Sequence, residues 1–157
     1  MGLQLLRIGD IAPAFTALNQ DSKLISLADF IGQTVVLYFY PKAMTPGCTT
    51  QACGLRDCAN ELAQHHAVVL GVSPDEPKKL TQFIAKEQLN FDLLSDPDHH
   101  LSESYKVWGM KKFMGREYEG IHRITYIIGP DGKIAHVMPK VNTKTHHQDI
   151  LQALAAI

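Results

Sequence analysis

Thr34-Val-Val-Leu-Tyr-Phe-Tyr-Pro-Lys-Ala-Met-Thr-Pro-Gly-Cys48 is the stretch on which the fold turns. Its first seven residues form a continuous β-branched and aromatic run, and a run apolar on both faces is what a central parallel strand buried under helices requires. His66-Ala-Val-Val-Leu-Gly-Val72 repeats that signature. Between the two, Ala52, Leu55, Ala59 and Leu62 recur every three or four residues, which predicts a helix over roughly residues 46–64. Strand, helix and strand make a β-α-β unit, whose crossover is right-handed in nearly all cases.

Outward from that unit the remaining segments follow the same logic. Phe15 to Leu18 and Leu24 to Leu27 flank the polar Asn19-Gln-Asp-Ser-Lys23 and read as a small hairpin. Leu80, Phe83 and Ile84 share one face of a helix expected over 75–87, and Phe91 to Leu94 is a short strand. A helix over 98–107 is capped by Asp96-Pro97-Asp98. Ile124 to Ile128 and Ile134 to Met138 flank the turn Gly129-Pro-Asp-Gly132, and Ile150, Leu151 and Leu154 stripe a closing helix over 145–157. Lys111-Lys112 near Arg116 reads as a short basic loop. The expected class is α/β, a mixed central sheet of parallel and hairpin strands with helices on both faces. No repeat or linker interrupts the chain, so residues 1–157 are expected to form one domain. Such sheets place their chemistry at the carboxyl ends of the parallel strands.

Composition narrows the classes of function. The 157 residues are 45% hydrophobic, enough for one core, and 15 basic against 16 acidic side chains leave a net charge of −1. That balance gives no electrostatic case for a nucleic-acid or anionic-membrane partner. Met1 to Asp10 lacks the charged, apolar and cleavage regions of a secretory signal, and no apolar run approaches the roughly 20 residues that cross a bilayer. A cytoplasmic protein is expected, in a compartment where thiols stay reduced and structural disulfides are rare. Three cysteines there invite a chemical reading, and the odd count leaves at least one free in a monomer. The eight histidines include three adjacent pairs, but adjacent helical residues point about 100° apart and the cysteines lack a Cys-x-x-Cys spacing, so no metal cage is expected.

Cys48 leaves the carboxyl end of the central strand and enters the first long helix. Thr45 suits the N-cap and Pro46 the first helical position, which puts Cys48 in the first turn, where free N–H groups and the helix dipole favour an anion. A thiolate there is a nucleophile at the place such sheets keep for chemistry.

Pro41-x-x-x-Thr45-x-x-Cys48 resembles the signature of the peroxiredoxins, and Thr45-Pro-Gly-Cys-Thr-Thr-Gln-Ala-Cys53-Gly-Leu-Arg-Asp57 is similar to the bacterioferritin comigratory protein, or peroxiredoxin Q, branch. Gly9-Asp-Ile-Ala-Pro-Ala-Phe15, Leu70-Gly-Val-Ser-Pro-Asp75, Leu93-Leu-Ser-Asp96, Gly120-Ile-His-Arg123 and His146-His147 resemble that branch too, in order along nearly the whole chain. The resemblance implies a thioredoxin-like fold and a peroxidase in which Cys48 attacks a hydroperoxide, Thr45 and Arg123 activate thiolate and peroxide, and Pro41 shields the sulfur from water. It implies Cys53 as the resolving cysteine; other members carry that thiol near position 84, where this chain has Ile84. Thioredoxin is the implied electron donor and a monomer the implied state, with no metal, flavin or haem. Cys58 has no counterpart in that chemistry and reads as structural.

Ionisation alone is insufficient for such a reaction. An ordinary cysteine is about 3% thiolate at pH 7, so full ionisation gains at most about 30-fold. The rest must come from groups aimed at the breaking O–O bond, each worth roughly 100-fold to 1000-fold: the Thr45 hydroxyl, the Cys48 N–H and an arginine. Arg56 competes with Arg123, but eight residues along a helix set it about 12 Å up the axis from Cys48. The nearest rival function, a thiol-disulfide oxidoreductase, expects Cys-x-x-Cys, whereas the spacing here is Cys-x-x-x-x-Cys. A non-catalytic binding module with incidental thiols is the rival from another class.

Overall fold

A computed structural model describes residues 3–157. Its elements are, in chain order, β1 (Thr16–Asn19), β2 (Leu24–Ser26), β3 (Thr34–Phe39), α1 (Pro46–Asp57), α2 (Ala59–Gln64), β4 (Ala67–Ser73), α3 (Pro77–Glu87), β5 (Asp92–Ser95), α4 (His100–Ser104), β6 (Trp108–Phe113), β7 (Arg116–Ile121), β8 (Thr125–Ile128), β9 (Ile134–Met138) and α5 (His146–Ala156), with a 3-10 turn at Leu27–Phe30. Seven strands form one mixed sheet in the order β2-β1-β5-β4-β3-β8-β9. The β3, β4 and β5 strands are parallel, with Val36 opposite Val69 and Val72 opposite Leu94, while β8 runs antiparallel to β3.

Alternate side chains of β3 divide the core. Val36, Tyr38 and Tyr40 pack under α1, α2, α3 and α5 with Leu55, Leu80, Phe83 and Ile150. Val35, Leu37 and Phe39 face the other way, onto Phe15, Leu101 and Tyr105 from the N-terminal segment and α4. Both sets are buried because β3 is covered on both faces, which is why its sequence shows no polar alternation. The Gly129 to Gly132 turn closes β8 on β9, with Gly132 at φ 80° and the Gly129 N–H donating to the Lys133 carbonyl at 2.8 Å.

Three expectations need correction. The helix over 46–64 is two helices broken at Cys58. The Leu55 carbonyl accepts the Cys58 N–H at 3.3 Å, and the Arg56 carbonyl is taken by Asn90 Nδ2 at 3.1 Å, so the regular hydrogen-bond ladder loses a rung there. The helix over 98–107 shortens to α4, because the buried Asp96 carboxylate accepts the Leu101 and Ser102 N–H groups and Lys106 turns to φ 61°. The basic loop at Lys111-Lys112 is strand: β6 and β7 form a separate two-stranded ribbon from Trp108↔Ile121 to Phe113↔Arg116. Its turn, Met114-Gly115, has positive φ at both residues, the geometry of a tight hairpin. Among the described residues, no helix is long and apolar enough to cross a membrane.

Candidate active site

Residues 40–45 carry the chain from β3 into α1, and the first turn of α1 delivers Cys48 into the core, where it is 1% exposed. Thr45 occupies the N-cap position with extended backbone (φ −87°, ψ 156°) and Pro46 follows at the first helical position. The expected side-chain cap is absent. Thr45 Oγ1 donates instead to the Lys42 carbonyl at 2.8 Å, which commits its only proton and leaves its lone pairs as acceptors. Pro41 is half-buried, two residues past the end of β3.

Arg123 enters from the segment between β7 and β8. Its Nη1 and Nη2 both lie 3.4 Å from Cys48 Sγ, a bidentate approach to the sulfur. Arg56 does not reach the site: it pairs with Asp57 at 2.8 Å and donates to the Glu87 carbonyl at 2.6 Å. Lys111 on β6 donates to the Ile121 carbonyl at 2.8 Å, and its ammonium is lowered from its ordinary range by burial first and Arg123 second, with Cys48 opposing.

Behind the arginine lies a polar chain that the sequence did not announce. Arg123 Nη1 donates to Gln51 Oε1 at 2.7 Å, Gln51 Nε2 lies 3.0 Å from His146 Nδ1, and His146 Nε2 lies 2.8 Å from Thr125 Oγ1. Gln51 is 1% exposed, and His146 and Thr125 are wholly buried. Burial pushes the His146 imidazole down to about 3, with the Arg123 and His147 charges acting in the same direction, so it is neutral in the folded protein at neutral pH. One signal was available for Gln51: it stands three residues after Cys48 and one before Ala52, on the buried stripe of α1.

Cys53 sits on the same helix as Cys48, half-buried, with its Sγ 3.6 Å from Glu87 Oε1. Burial raises its thiol above the ordinary range; Arg56 opposes this and Glu87 adds to it. Cys58, at the break between α1 and α2, is buried with its Sγ 3.5 Å from the Leu55 carbonyl, and burial raises its thiol as well. All three thiols are free. Five residues along an α-helix mean about 7.5 Å of rise and about 140° of rotation, so Cys48 and Cys53 cannot approach within the roughly 4.4 to 6.8 Å Cα separation of a disulfide while α1 is intact.

Beneath α1, Tyr38 and Tyr40 stack with ring centroids 5.4 Å apart. Among the described residues, the Tyr38 hydroxyl finds no hydrogen-bond partner, while that of Tyr40 has the Ser73 side chain beside it. Burial, above all, raises Tyr38 well above the ordinary phenol range, and the neighbouring Tyr40 and Cys48 add to it. A groove of about 360 Å³ between α2 and β4, lined by Leu55, Leu62, Val69 and Phe91, lies away from Cys48 and Arg123. Asp96, Asp98 and His100 bring potential ligand atoms within 4.8 Å of one another. The Asp96 oxygens there are committed to the Leu101 and Ser102 N–H groups and the Ser102 hydroxyl, and His100 Nδ1 lies 2.6 Å from Asp98 Oδ1, which accounts for the cluster as a helix cap and ion pair.

Chemically, the arrangement is a buried sulfur at a helix N-terminus under a bidentate guanidinium, with a second thiol in the same helix. Residues 8–137 match the family described as AhpC/TSA. The chain is 59% identical over 152 residues to a Haemophilus influenzae protein called putative peroxiredoxin bcp, across 97% of this chain and 98% of that one. Among solved structures it is similar to a cysteine-to-serine mutant of Xylella fastidiosa PrxQ, with a TM-score of 0.92 and 32% identity over 98% of both chains. A Xanthomonas campestris bacterioferritin comigratory protein, described in terms of alkyl peroxide reduction activity, superposes with a TM-score of 0.86 and 32% identity over 90% of both chains.

Proposed function

The chain belongs to the AhpC/TSA family, has a thioredoxin-like fold and is a thiol-dependent peroxidase, and from that premise we propose that Cys48 is the thiolate that attacks the peroxide and Cys53 the thiol that resolves it. The observation that carries this reading is the buried Cys48 Sγ with both terminal nitrogens of Arg123 at 3.4 Å. The Cys48 thiolate displaces the terminal oxygen of a hydroperoxide; the S–O bond forms as the O–O bond breaks, and the departing oxygen leaves as water or an alcohol after taking a proton. Arg123 stabilises the charge that moves from sulfur to the leaving oxygen, the kind of preorganised donor worth roughly 100-fold to 1000-fold. Thr45, its proton held by the Lys42 carbonyl, accepts the hydrogen bond of the peroxide O–H. Pro41 closes the approach to water.

Cys48 is then a sulfenic acid. The Cys53 thiol gives up its proton and its sulfur attacks the Cys48 sulfur; the S–S bond forms as the S–O bond breaks, the leaving hydroxide takes a proton and departs as water, and the Cys48–Cys53 disulfide is reduced by an external dithiol, for which thioredoxin is our assignment. Resolution requires α1 to unwind, by the geometry of a five-residue separation. Substrates are hydrogen peroxide and organic hydroperoxides; the activity ascribed to the Xanthomonas campestris relative supports the second class. The protein acts as a single-domain cytoplasmic monomer over residues 1–157. Peroxide consumption coupled to thioredoxin, its reductase and NADPH tests the reading: Cys48→Ser is expected to abolish turnover with the fold intact. Residual turnover within tenfold of the parent overturns the assignment.

A further inference from the structure

The chain of hydrogen bonds behind Arg123 has only one consistent direction. A guanidinium has donors and no acceptor, so the Gln51 atom facing it at 2.7 Å must be the carbonyl oxygen. The Gln51 amide NH2 therefore points at His146, 3.0 Å away, and His146 Nδ1 must accept. Nε2 then carries the proton and donates to Thr125 Oγ1 at 2.8 Å. A protonated imidazole would set an N–H against the Gln51 NH2, in a fully buried site and at the positive end of α5, so the lattice of bonds itself requires the neutral form. Nothing in this chain touches the peroxide. Its members lie on α1, α5 and β8, so it fixes the arginine by reference to the sheet and the closing helix.

We infer that His146 is a positioning residue for the peroxide step: its unprotonated Nδ1 locks the Gln51 amide so that only the carbonyl faces Arg123, and this holds both guanidinium nitrogens on Cys48. Without that acceptor the Gln51 NH2 is left unpaired in the core and the amide rotates or withdraws, presenting donors to a donor. Arg123 then loses its lateral anchor, and a displacement of about 1 Å at such a group costs up to about 100-fold in rate. The inference rests on the reading of Arg123 and Cys48 given above.

The test is the second-order rate constant for oxidation of the reduced protein by hydrogen peroxide in a single turnover, followed by quenching and thiol alkylation. His146→Leu keeps bulk and removes the acceptor, and is expected to lower the constant about tenfold or more. His146→Asn places an oxygen near the Nδ1 position and is expected to recover it to within threefold of the parent. In an Arg123→Lys background, His146→Leu is expected to cost less than twofold, because the group it positions is gone; a role in core packing alone would cost the same in both backgrounds. Thr125→Val, which frees the imidazole from its far side, is expected to lower the constant about threefold, with the same silence in the Arg123→Lys background, and serves if His146→Leu does not fold. The inference is overturned if His146→Leu and Thr125→Val each cost less than twofold, if Asn restores nothing, or if the losses are additive with Arg123→Lys. If Arg123→Lys alone stays within threefold of the parent, the reading of Arg123 falls and this inference with it; Arg123→Lys crippling beside an inert His146 overturns the inference alone.

Discussion

Gly54 offers a way to slow the second half of the cycle without touching the first. It lies inside α1, between Cys53 and Leu55, and the His147 ring packs against it: a Cβ at Gly54 would meet His147 Nδ1 at 2.5 Å and Cγ at 3.1 Å. Two effects therefore oppose one another in Gly54→Ala. Alanine favours the helix over its unwound form by about 1 kcal/mol, but the methyl must displace the imidazole. Truncating the ring removes the obstacle, so in a His147→Ala background the propensity gain stands alone. A gain of about 1 kcal/mol for the closed helix reduces the unwound fraction about fivefold. Resolution draws on that fraction, so condensation of the Cys48 sulfenic acid with Cys53 is expected to slow about fivefold relative to His147→Ala, with the peroxide step unchanged. Rapid mixing with one equivalent of peroxide, quenching and mass analysis separates the two steps. Amide exchange across α1 should slow by a similar factor. The longer-lived sulfenic acid also predicts sulfinic acid at lower peroxide concentrations. A condensation rate within 1.5-fold of the His147→Ala parent, or an equal fall in the peroxide step, refutes the argument. Gly54→Ala alone, still meeting the ring, is expected to show less of the gain.

Peptide mapping after one equivalent of peroxide is expected to find Cys48 joined to Cys53 with Cys58 still alkylatable, and Cys53→Ser to stop recycling by thioredoxin; a Cys48–Cys58 bridge counts against the assignment. Thr45→Val removes the oxygen that accepts the peroxide O–H and is expected to lower the peroxide step about tenfold, and a loss under threefold would mean that the hydroxyl serves only Lys42. Because His146 is held near 3 when folded and titrates near 6.5 when exposed, its contribution to stability is complete above pH 6.5 and is lost as the pH falls from 6.5 towards 3, at up to about 1.4 kcal/mol per pH unit. Urea unfolding of the parent and His146→Leu between pH 7 and 4.5 should show the flatter profile in the variant.

What could be read in the sequence was what is local or continuous. The β3 and β4 runs, the Gly129 to Gly132 turn and the approach to Cys48 each announce themselves within a few residues, and the position of Arg123 came with the Gly120-Ile-His-Arg123 resemblance. The β6–β7 ribbon escaped because it leaves the main sheet and is largely exposed on both faces: Met110, Phe113 and Tyr118 stand in solvent among charged residues, so no alternation marks it. The break at Cys58 escaped because its cause, Asn90, lies 34 residues from the carbonyl it takes. Gln51 and His146 are 95 residues apart, and a lone polar residue on a helix reads as solvated until its partner is known.

The stacked phenols under α1 have a consequence for the direction of the motion. The Tyr38 hydroxyl is buried with no hydrogen-bond partner among the described residues, whereas that of Tyr40 has the Ser73 side chain beside it, and a buried hydroxyl without a partner costs about 1 to 3 kcal/mol. Unwinding the cover would bring the Tyr38 hydroxyl nearer to solvent and lower this cost in the open form. The closed helix is in this sense loaded from below: part of what lifts it is the thirst of the floor it rests on, and Tyr38→Phe would leave the thiol pocket in place while removing some of the impulse to open.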